Sequence, residues 1–152
     1  MISIDTNLLL YAQNRDCPEH AAAFDFVAQI GSRDDVVICE LVLVELYLLL
    51  RNPAVVSRAL SASAAAEICG AYRTNPRWRL VEYAPVMDRV WTLSSGRVFP
   101  RRRIIDARLA FTLQHHGVDS FATANVRDFA DFGFLRVWNP LGEQQNCAQM
   151  GK

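Results

Sequence analysis

Short apolar runs alternate with amphipathic stretches along most of the 152-residue chain. Apolar, β-branched runs of about four residues indicate buried strands, whereas apolar positions three and four apart indicate helices. Strands are therefore predicted at residues 1–4, 36–39, 79–82, 120–123 and 135–138. Helices are predicted at residues 7–12, 19–30, 40–51, 54–72, 85–95 and 106–116, with a short one within 125–132. This alternation predicts an α/β fold, a three-layer α/β/α sandwich with a mostly parallel central sheet.

The chain has no internal repeat and no linker between domains. We therefore expect one domain over residues 1–141, followed by a polar C-terminal tail at 142–152. The longest apolar run, residues 41–50, is interrupted by Glu45 and is shorter than the roughly 20 residues that cross a bilayer. The N-terminal MISIDTN lacks a basic segment that leads into an apolar one. The expected compartment is the cytoplasm, with no membrane partner.

Charge is balanced overall but uneven along the chain. Residues 1–69 contain four arginines and nine acidic residues, whereas residues 70–108 contain nine arginines and three acidic residues. The middle segment, with Arg101, Arg102 and Arg103, has the charge to contact phosphates. An arginine-rich surface that faces solvent, or that pairs with the acidic first part, is the alternative. The only lysine is Lys152, which argues against Schiff-base chemistry and Walker-type phosphate sites.

Four carboxylates stand at positions where an acid either has a function or would destabilise the fold: Asp5, Glu45, Asp106 and Asp128. Asp5 follows the first strand, at the edge where ligands bind in open parallel sheets. Asp106 stands at the start of a predicted helix, and Asp128 follows the fourth strand. A cluster of acids without matching lysines is typical of a Mg²⁺ or Mn²⁺ site. Helix capping or a turn is the simpler explanation for Asp5, Asp106 and Asp128.

Glu45 lies within a run of leucines and valines, which predicts a helix that is buried nearly all round. An isolated buried carboxylate would cost several kcal/mol, so Glu45 must be neutralised, paired or bound to a metal. Arg51 and Arg58 are the candidate structural partners. The histidines and the four cysteines have no zinc-binding spacing, and the cysteines are interpreted as thiols.

Taken in order, four segments resemble the PIN-domain family, and within it the VapC-type toxins of bacterial toxin–antitoxin pairs. These segments are ISIDTNLLLYA, VLVELYLLLRNP, IIDARLAFTLQHHGVDSFATANVRDFADFG and LRVWNPL, which together span about residues 1–141. The order and spacing of the segments carry the resemblance, since a short DTN is common by itself.

The resemblance implies a Mg²⁺- or Mn²⁺-dependent ribonuclease toxin that is held inactive by a cognate antitoxin. Asp5, Glu45 and Asp106 match its catalytic acids, with Asp5 and Asp106 as metal ligands, and Asp128 is the fourth acid unless Asn125 replaces it. The residues expected to orient these ligands are Thr6, Asn7, Thr123 and Asn125. Those expected to contact RNA phosphates are Arg101, Arg102, Arg103 and Arg108.

The resemblance further implies a homodimer, and an antitoxin whose C-terminal segment places a basic side chain in the acidic site. A receiver-like signalling module would need a lysine near its aspartate, and an aspartyl phosphatase commonly has a second aspartate where this chain has Asn7. A catalytically idle PIN-like domain that binds RNA or a partner remains the alternative. The sequence leaves the class of RNA substrate open.

Overall fold

The computed structural model describes residues 1–142 and confirms the predicted alternation of strands and helices. The strands are β1 (Ile2–Ile4), β2 (Val37–Cys39), β3 (Arg79–Val81), β4 (Ser120–Ala122) and β5 (Arg136–Trp138). The helices are α1 (Thr6–Gln13), α2 (His20–Ile30), α3 (Glu40–Leu50), α4 (Ala62–Arg73), α5 (Met87–Ser94), α6 (Arg103–His115) and α7 (Val126–Phe129). The predicted tail at 142–152 lies, beyond Gly142, outside the described residues.

All strand pairs are parallel. β4 lies between β1 and β5, and β2 pairs with β3. A parallel bridge between Ile2 and Val36 and a 2.9 Å hydrogen bond from the Ile2 N–H to the Asp35 carbonyl join the two groups. The resulting order is β3-β2-β1-β4-β5, which places β1 at the centre with its carboxyl end beside those of β2 and β4.

Helices cover both faces of this sheet, as the predicted three-layer α/β/α sandwich requires. α1 packs on α2 and α3, and α3 packs on α4, whereas α5 and α7 pack on α6. The strands bury their side chains between these layers, and Ile4, Ile38 and Phe121 are fully buried. Each such side chain stabilises the fold by about 1.5–3 kcal/mol relative to an exposed one. Among residues 1–142, no helix combines the length and apolar character that a membrane span requires.

Two predicted helix boundaries are wrong. The helix predicted at 54–72 begins only at Ala62, where the Ser61 hydroxyl accepts a 3.1 Å hydrogen bond from the Ala64 N–H and caps the helix. Asn52 instead accepts a hydrogen bond from the Ala54 N–H and holds the preceding segment in turns. The other error concerns α6, which begins at Arg103 rather than at Asp106 and has no side-chain cap.

Candidate functional site

A cleft of about 210 Å³ opens at the carboxyl ends of the central strands. Because parallel strands end at the same edge of the sheet, residues that follow different strands meet there. The cleft is lined by all four predicted acids, Asp5, Glu45, Asp106 and Asp128, and by Thr6, Asn7 and Asn125. Carboxylates separated by up to 123 positions in the sequence therefore share one cleft.

Asp5 follows β1 directly and caps α1, so its capping role and its place in the cleft coexist. Its Oδ1 accepts a 2.8 Å hydrogen bond from the Thr6 N–H. Its Oδ2 accepts one of 2.6 Å from the Thr123 hydroxyl and one of 2.8 Å from the Asn7 amide. Burial raises the pKa of Asp5 to about 6, helped by the charges of Glu45 and Asp106 and opposed by the bonds from Thr123 and Thr6.

The same hydrogen bonds tie the start of α1 to the segment after β4. The Asn7 amide also donates to the Thr123 hydroxyl at 3.2 Å, and its carbonyl oxygen accepts from the Ala124 N–H at 3.2 Å. The Asn125 N–H donates to the Thr123 hydroxyl at 2.9 Å. Thr6, Asn7, Thr123 and Asn125 thus all lie beside the acids, and the first three bond to them directly. Asp5 is held in one orientation by donors from two segments.

Glu45 lies in the cleft but is exposed, so its predicted burial is wrong. α3 buries Val42, Leu43, Leu46 and Leu50 on one face and leaves Val44 and Leu48 open on the other. The two candidate arginine partners do not pair with Glu45: Arg51 donates to the Tyr47 hydroxyl, and Arg58 pairs with Asp16. The Thr6 hydroxyl instead donates a 2.6 Å hydrogen bond to Glu45 Oε2.

Asp106 lies one turn inside α6 rather than at its cap. Burial, together with the charges of Asp128 and Glu45, raises its pKa to about 6 against the opposing charge of Arg103. Asp128 is exposed, lies in α7 and does not cap that helix. Asp5 is buried and Asp106 is half-buried, and both have raised pKa values in one cleft. Such a pair of carboxylates is typical of a functional site.

Oxygen ligands of this kind match what Mg²⁺ and Mn²⁺ prefer. In their present orientations, however, no three acidic, histidine or cysteine side chains within residues 1–142 are arranged to hold one ion. Asp5 is fixed by its donors, whereas Glu45 and Asp128 are exposed and have room to rotate. The chemistry of the donor set therefore fits a divalent cation, provided that the exposed carboxylates turn inward.

The four arginines predicted to contact RNA phosphates differ in whether they are paired within the protein. Arg101, Arg102 and Arg108 are exposed and form no ion pair within the described part of the chain. Arg103 pairs with Asp131, and its guanidinium lies 4.8 Å from the Phe132 ring centroid. Arg103 is thus engaged within the protein, and the other three remain available to a ligand.

An apolar wall of the cleft was not predicted from the sequence. Its residues are Leu10 and Tyr11 from α1, Leu41 and Leu49 from α3 and Ile105 from α6, which line the cleft together with the acids. The spacing along the helices could have predicted these residues. Tyr11 lies four residues after Asn7, and Leu41 and Leu49 lie four residues before and after Glu45. Residues four apart share a helix face.

The sequence matches the PIN domain family model over residues 2–135. The chain belongs to the PIN-domain family, and the resemblance stated from its motifs is confirmed. It is 61% identical over 141 residues to Ribonuclease VapC24 of Mycobacterium tuberculosis, in both the CDC 1551 / Oshkosh and the H37Rv strains. That alignment covers 93% of this chain and 97% of the relative.

Solved structures with the same fold include the M. tuberculosis toxin VapC20, described as cleaving the sarcin-ricin loop, at 21% identity and a TM-score of 0.64. The match covers 88% of this chain and 96% of VapC20. FitAB bound to a DNA fragment is similar at 16% identity and a TM-score of 0.61, over 96% of this chain and 99% of the other. VapBC2 of Rickettsia felis, bound to promoter DNA, is similar at 15% identity and a TM-score of 0.58. That match covers 91% of this chain and 98% of the other.

Proposed function

We propose that this protein is a VapC-type toxin, a metal-dependent ribonuclease that hydrolyses phosphodiester bonds of RNA and is held inactive by a cognate antitoxin. The observation that carries the proposal is the convergence of Asp5, Glu45, Asp106 and Asp128 on one cleft. The name of the 61% identical relative, a ribonuclease, supports the same activity. We expect it to act in the cytoplasm.

The electrostatics of the cleft favour a cation as its resident. Burial and repulsion between the acids raise the pKa values of Asp5 and Asp106 to about 6, and within residues 1–142 the charge of Arg103 opposes this for Asp106. A structural cluster of acids would normally be relieved by ion pairs, because uncompensated charge destabilises the fold. A Mg²⁺ or Mn²⁺ ion bound there would neutralise the acids, lower the pKa of a bound water and polarise the scissile phosphate.

The chain's own residues would hold and orient the reacting groups. Asp5 and Asp106 are the proposed ligands, with Glu45 and Asp128 completing the acidic set. Thr123 and Asn7 fix the Asp5 carboxylate, and the Thr6 hydroxyl donates a 2.6 Å hydrogen bond to the exposed Glu45. A ligand fixed as Asp5 is would help to keep an attacking water in line with the bond to be broken, and the chemistry requires no protein nucleophile.

RNA would reach the cleft past exposed arginines. Arg101 and Arg102 precede α6, the helix that carries Asp106. Arg108 lies near Cys39, at the end of β2. Burial raises the pKa of the Cys39 thiol, and the charge of Arg108 lowers it in part. These residues would contact flanking phosphates and position RNA without reading its sequence. Arg103 is held by Asp131 and would contribute to stability instead.

A cognate antitoxin and a second copy of this chain are the proposed protein partners. The similar structures VapBC2 and FitAB are each named as a pair of components and are bound to DNA. This supports an antitoxin as a partner of this chain. We propose that the antitoxin places a basic side chain in the acidic cleft, where it would replace the cation. Val44 and Leu48 on α3 are 51% and 61% exposed and offer apolar area to a partner.

Incubation of the purified protein with total RNA tests the activity directly. We expect discrete fragments with Mg²⁺ or Mn²⁺, none with EDTA, and none from the Asp5→Asn variant. Asp5→Asn keeps the size of the side chain, so a loss of cleavage by a variant that still unfolds cooperatively, as the wild type does, assigns the effect to the carboxylate. RNA that stays intact under every metal condition, but binds the protein, would instead identify a catalytically idle PIN-like domain.

A further inference from the structure

Of the two aromatic residues that line the cleft, Phe129 belongs to the buried core, whereas Tyr11 packs against the core and stays partly exposed. Phe129 is 3% exposed and packs against the rings of Phe121 and Phe132. Tyr11 is half-buried and contacts no other aromatic ring and no guanidinium within residues 1–142. Because Tyr11 lines the cleft and is partly exposed, it is accessible to a ligand from outside the protein.

The hydrogen bonds near Tyr11 involve its backbone rather than its side chain. The His20 ring nitrogen and the Cys17 thiol both contact the Tyr11 carbonyl oxygen, at 3.0 Å and 3.8 Å. By contrast, the hydroxyls of Tyr47 and Tyr72 accept hydrogen bonds from Arg51 and Gln13. Tyr11 packs against the core, but no side chain of the described region hydrogen-bonds to its hydroxyl, so no internal hydrogen bond explains a hydroxyl at this position.

The surroundings of Tyr11 suit a flat, uncharged heterocycle. Leu10, Leu41 and Leu49 line the cleft together with Tyr11 and the acids. Burial and the charges of Glu19, Cys17 and Asp5 raise the pKa of Tyr11, so its ring stays neutral. A volume of about 210 Å³ is below the roughly 300–1,000 Å³ of drug-sized ligand sites, which limits the occupant to about one nucleotide.

We propose that Tyr11 and its leucine neighbours form a nucleobase-binding site, in which the base next to the scissile phosphate stacks on the tyrosine ring. The inference rests on the proposed ribonuclease function, and it adds a binding residue outside the acidic set. Stacking on an aromatic side chain holds single-stranded nucleic acid with little sequence preference, because every base has a π-face. The phosphate of that nucleotide would then lie over the acids.

The test compares RNA oligonucleotides that carry the cleaved bond with versions in which the nucleotide on its 5′ or 3′ side lacks the base. For the wild type, we expect kcat/KM to fall roughly 5- to 150-fold when the stacked base is removed, the range that corresponds to one stacking contact. Tyr11→Phe keeps the ring and should retain this discrimination. Tyr11→Leu should cleave the normal RNA as slowly as the wild type cleaves the abasic one, and should lose the discrimination.

Tyr47→Leu is the matched control, because Tyr47 lies on the adjacent helix α3 but does not line the cleft. It should discriminate as the wild type does, and melting curves verify that every variant is folded. The base site is overturned if Tyr11→Leu still discriminates, or if it slows both substrates equally. Cleavage by the wild type without any discrimination overturns the base site alone, whereas no cleavage of any RNA overturns the ribonuclease function together with it.

Discussion

Replacement of Asp106 by asparagine should stabilise the metal-free protein while it abolishes the activity. Asp106 is half-buried, and no side chain or backbone group within residues 1–142 donates a hydrogen bond to its carboxylate. Asparagine has nearly the same shape and removes the charge that burial and the neighbouring acids penalise. The change therefore removes an electrostatic cost without the loss of a hydrogen bond.

The pKa of Asp106 sets the size of this effect. Its pKa rises from the ordinary 3.8 to about 6. Each tenfold change in proton affinity corresponds to about 1.4 kcal/mol, so the cost of the ionised form has an upper limit near 3 kcal/mol. Partial exposure screens the charge, and the loss of a favourable acid in the first turn of α6 costs about 0.3–1 kcal/mol. A net gain of about 1–2 kcal/mol remains, or about 2–8 °C in melting temperature.

The gain should depend on pH in a defined direction. The folded protein binds the Asp106 proton more tightly than the unfolded chain does, so the free energy of unfolding falls as the pH rises from about 4 to about 6. Above that range both states are ionised and the cost is complete. The difference in melting temperature between Asp106→Asn and the wild type should therefore be largest at pH 8 and shrink towards pH 4.5.

Thermal denaturation followed by circular dichroism, with EDTA and with Mn²⁺, measures both parts of the argument. A bound ion stabilises only the folded state, by an amount that grows with the ratio of ion concentration to dissociation constant. Mn²⁺ should raise the melting temperature of the wild type and have little effect on Asp106→Asn. The order of stability would then reverse between the two conditions.

Asp88→Asn is the matched control, because Asp88 also lies in the first turn of a helix, α5, but is exposed and outside the cleft. It should give no gain in stability and full RNA cleavage. A lower melting temperature for Asp106→Asn in EDTA at pH 8 would refute the electrostatic reasoning. Equal stabilisation of the variant and the wild type by Mn²⁺ would exclude Asp106 as a ligand of the proposed metal site.

Four further substitutions test the same geometry. Thr123→Val removes the 2.6 Å hydrogen bond to Asp5, so it should cost about 1–3 kcal/mol in urea unfolding and shift the pH optimum of cleavage upward. Arg101→Ala and Arg102→Ala should each weaken RNA binding and reduce the salt dependence of log K by about 0.7, as fluorescence anisotropy across a salt series would measure. Arg103→Ala should leave that slope unchanged and lower the melting temperature, because Arg103 pairs with Asp131.

The strands and most helices could be predicted because their signals are local. The apolar runs before Asp5 and after Asp35 become β1 and β2, and each strand begins one residue later than predicted. The segment before α4 could not be predicted as turns, because its alanines and valines have no strong preference against a helix. There the Ser61 cap and the Asn52 side chain decide where the helix begins.

Glu45 illustrates why burial could not be deduced from composition alone. A helix of leucines and valines predicts burial on all sides, yet α3 lies at the surface with Val44 and Leu48 exposed. Which face a helix buries depends on the layers that are packed against it, and α3 contacts α1 and α4 on part of its circumference only. The carboxylate therefore needs no arginine partner.

The sequence by itself determined the alternation of strands and helices, the family and the identity of the four acids. Those properties depend on local periodicity and on motifs that a single segment carries. Only the tertiary structure decided that the acids share a cleft, that Thr6 binds Glu45 and that Tyr11 faces the acidic site. The reason is that these contacts join residues far apart in the chain, and parallel strand order, which no local pattern encodes, brings them to one edge of the sheet.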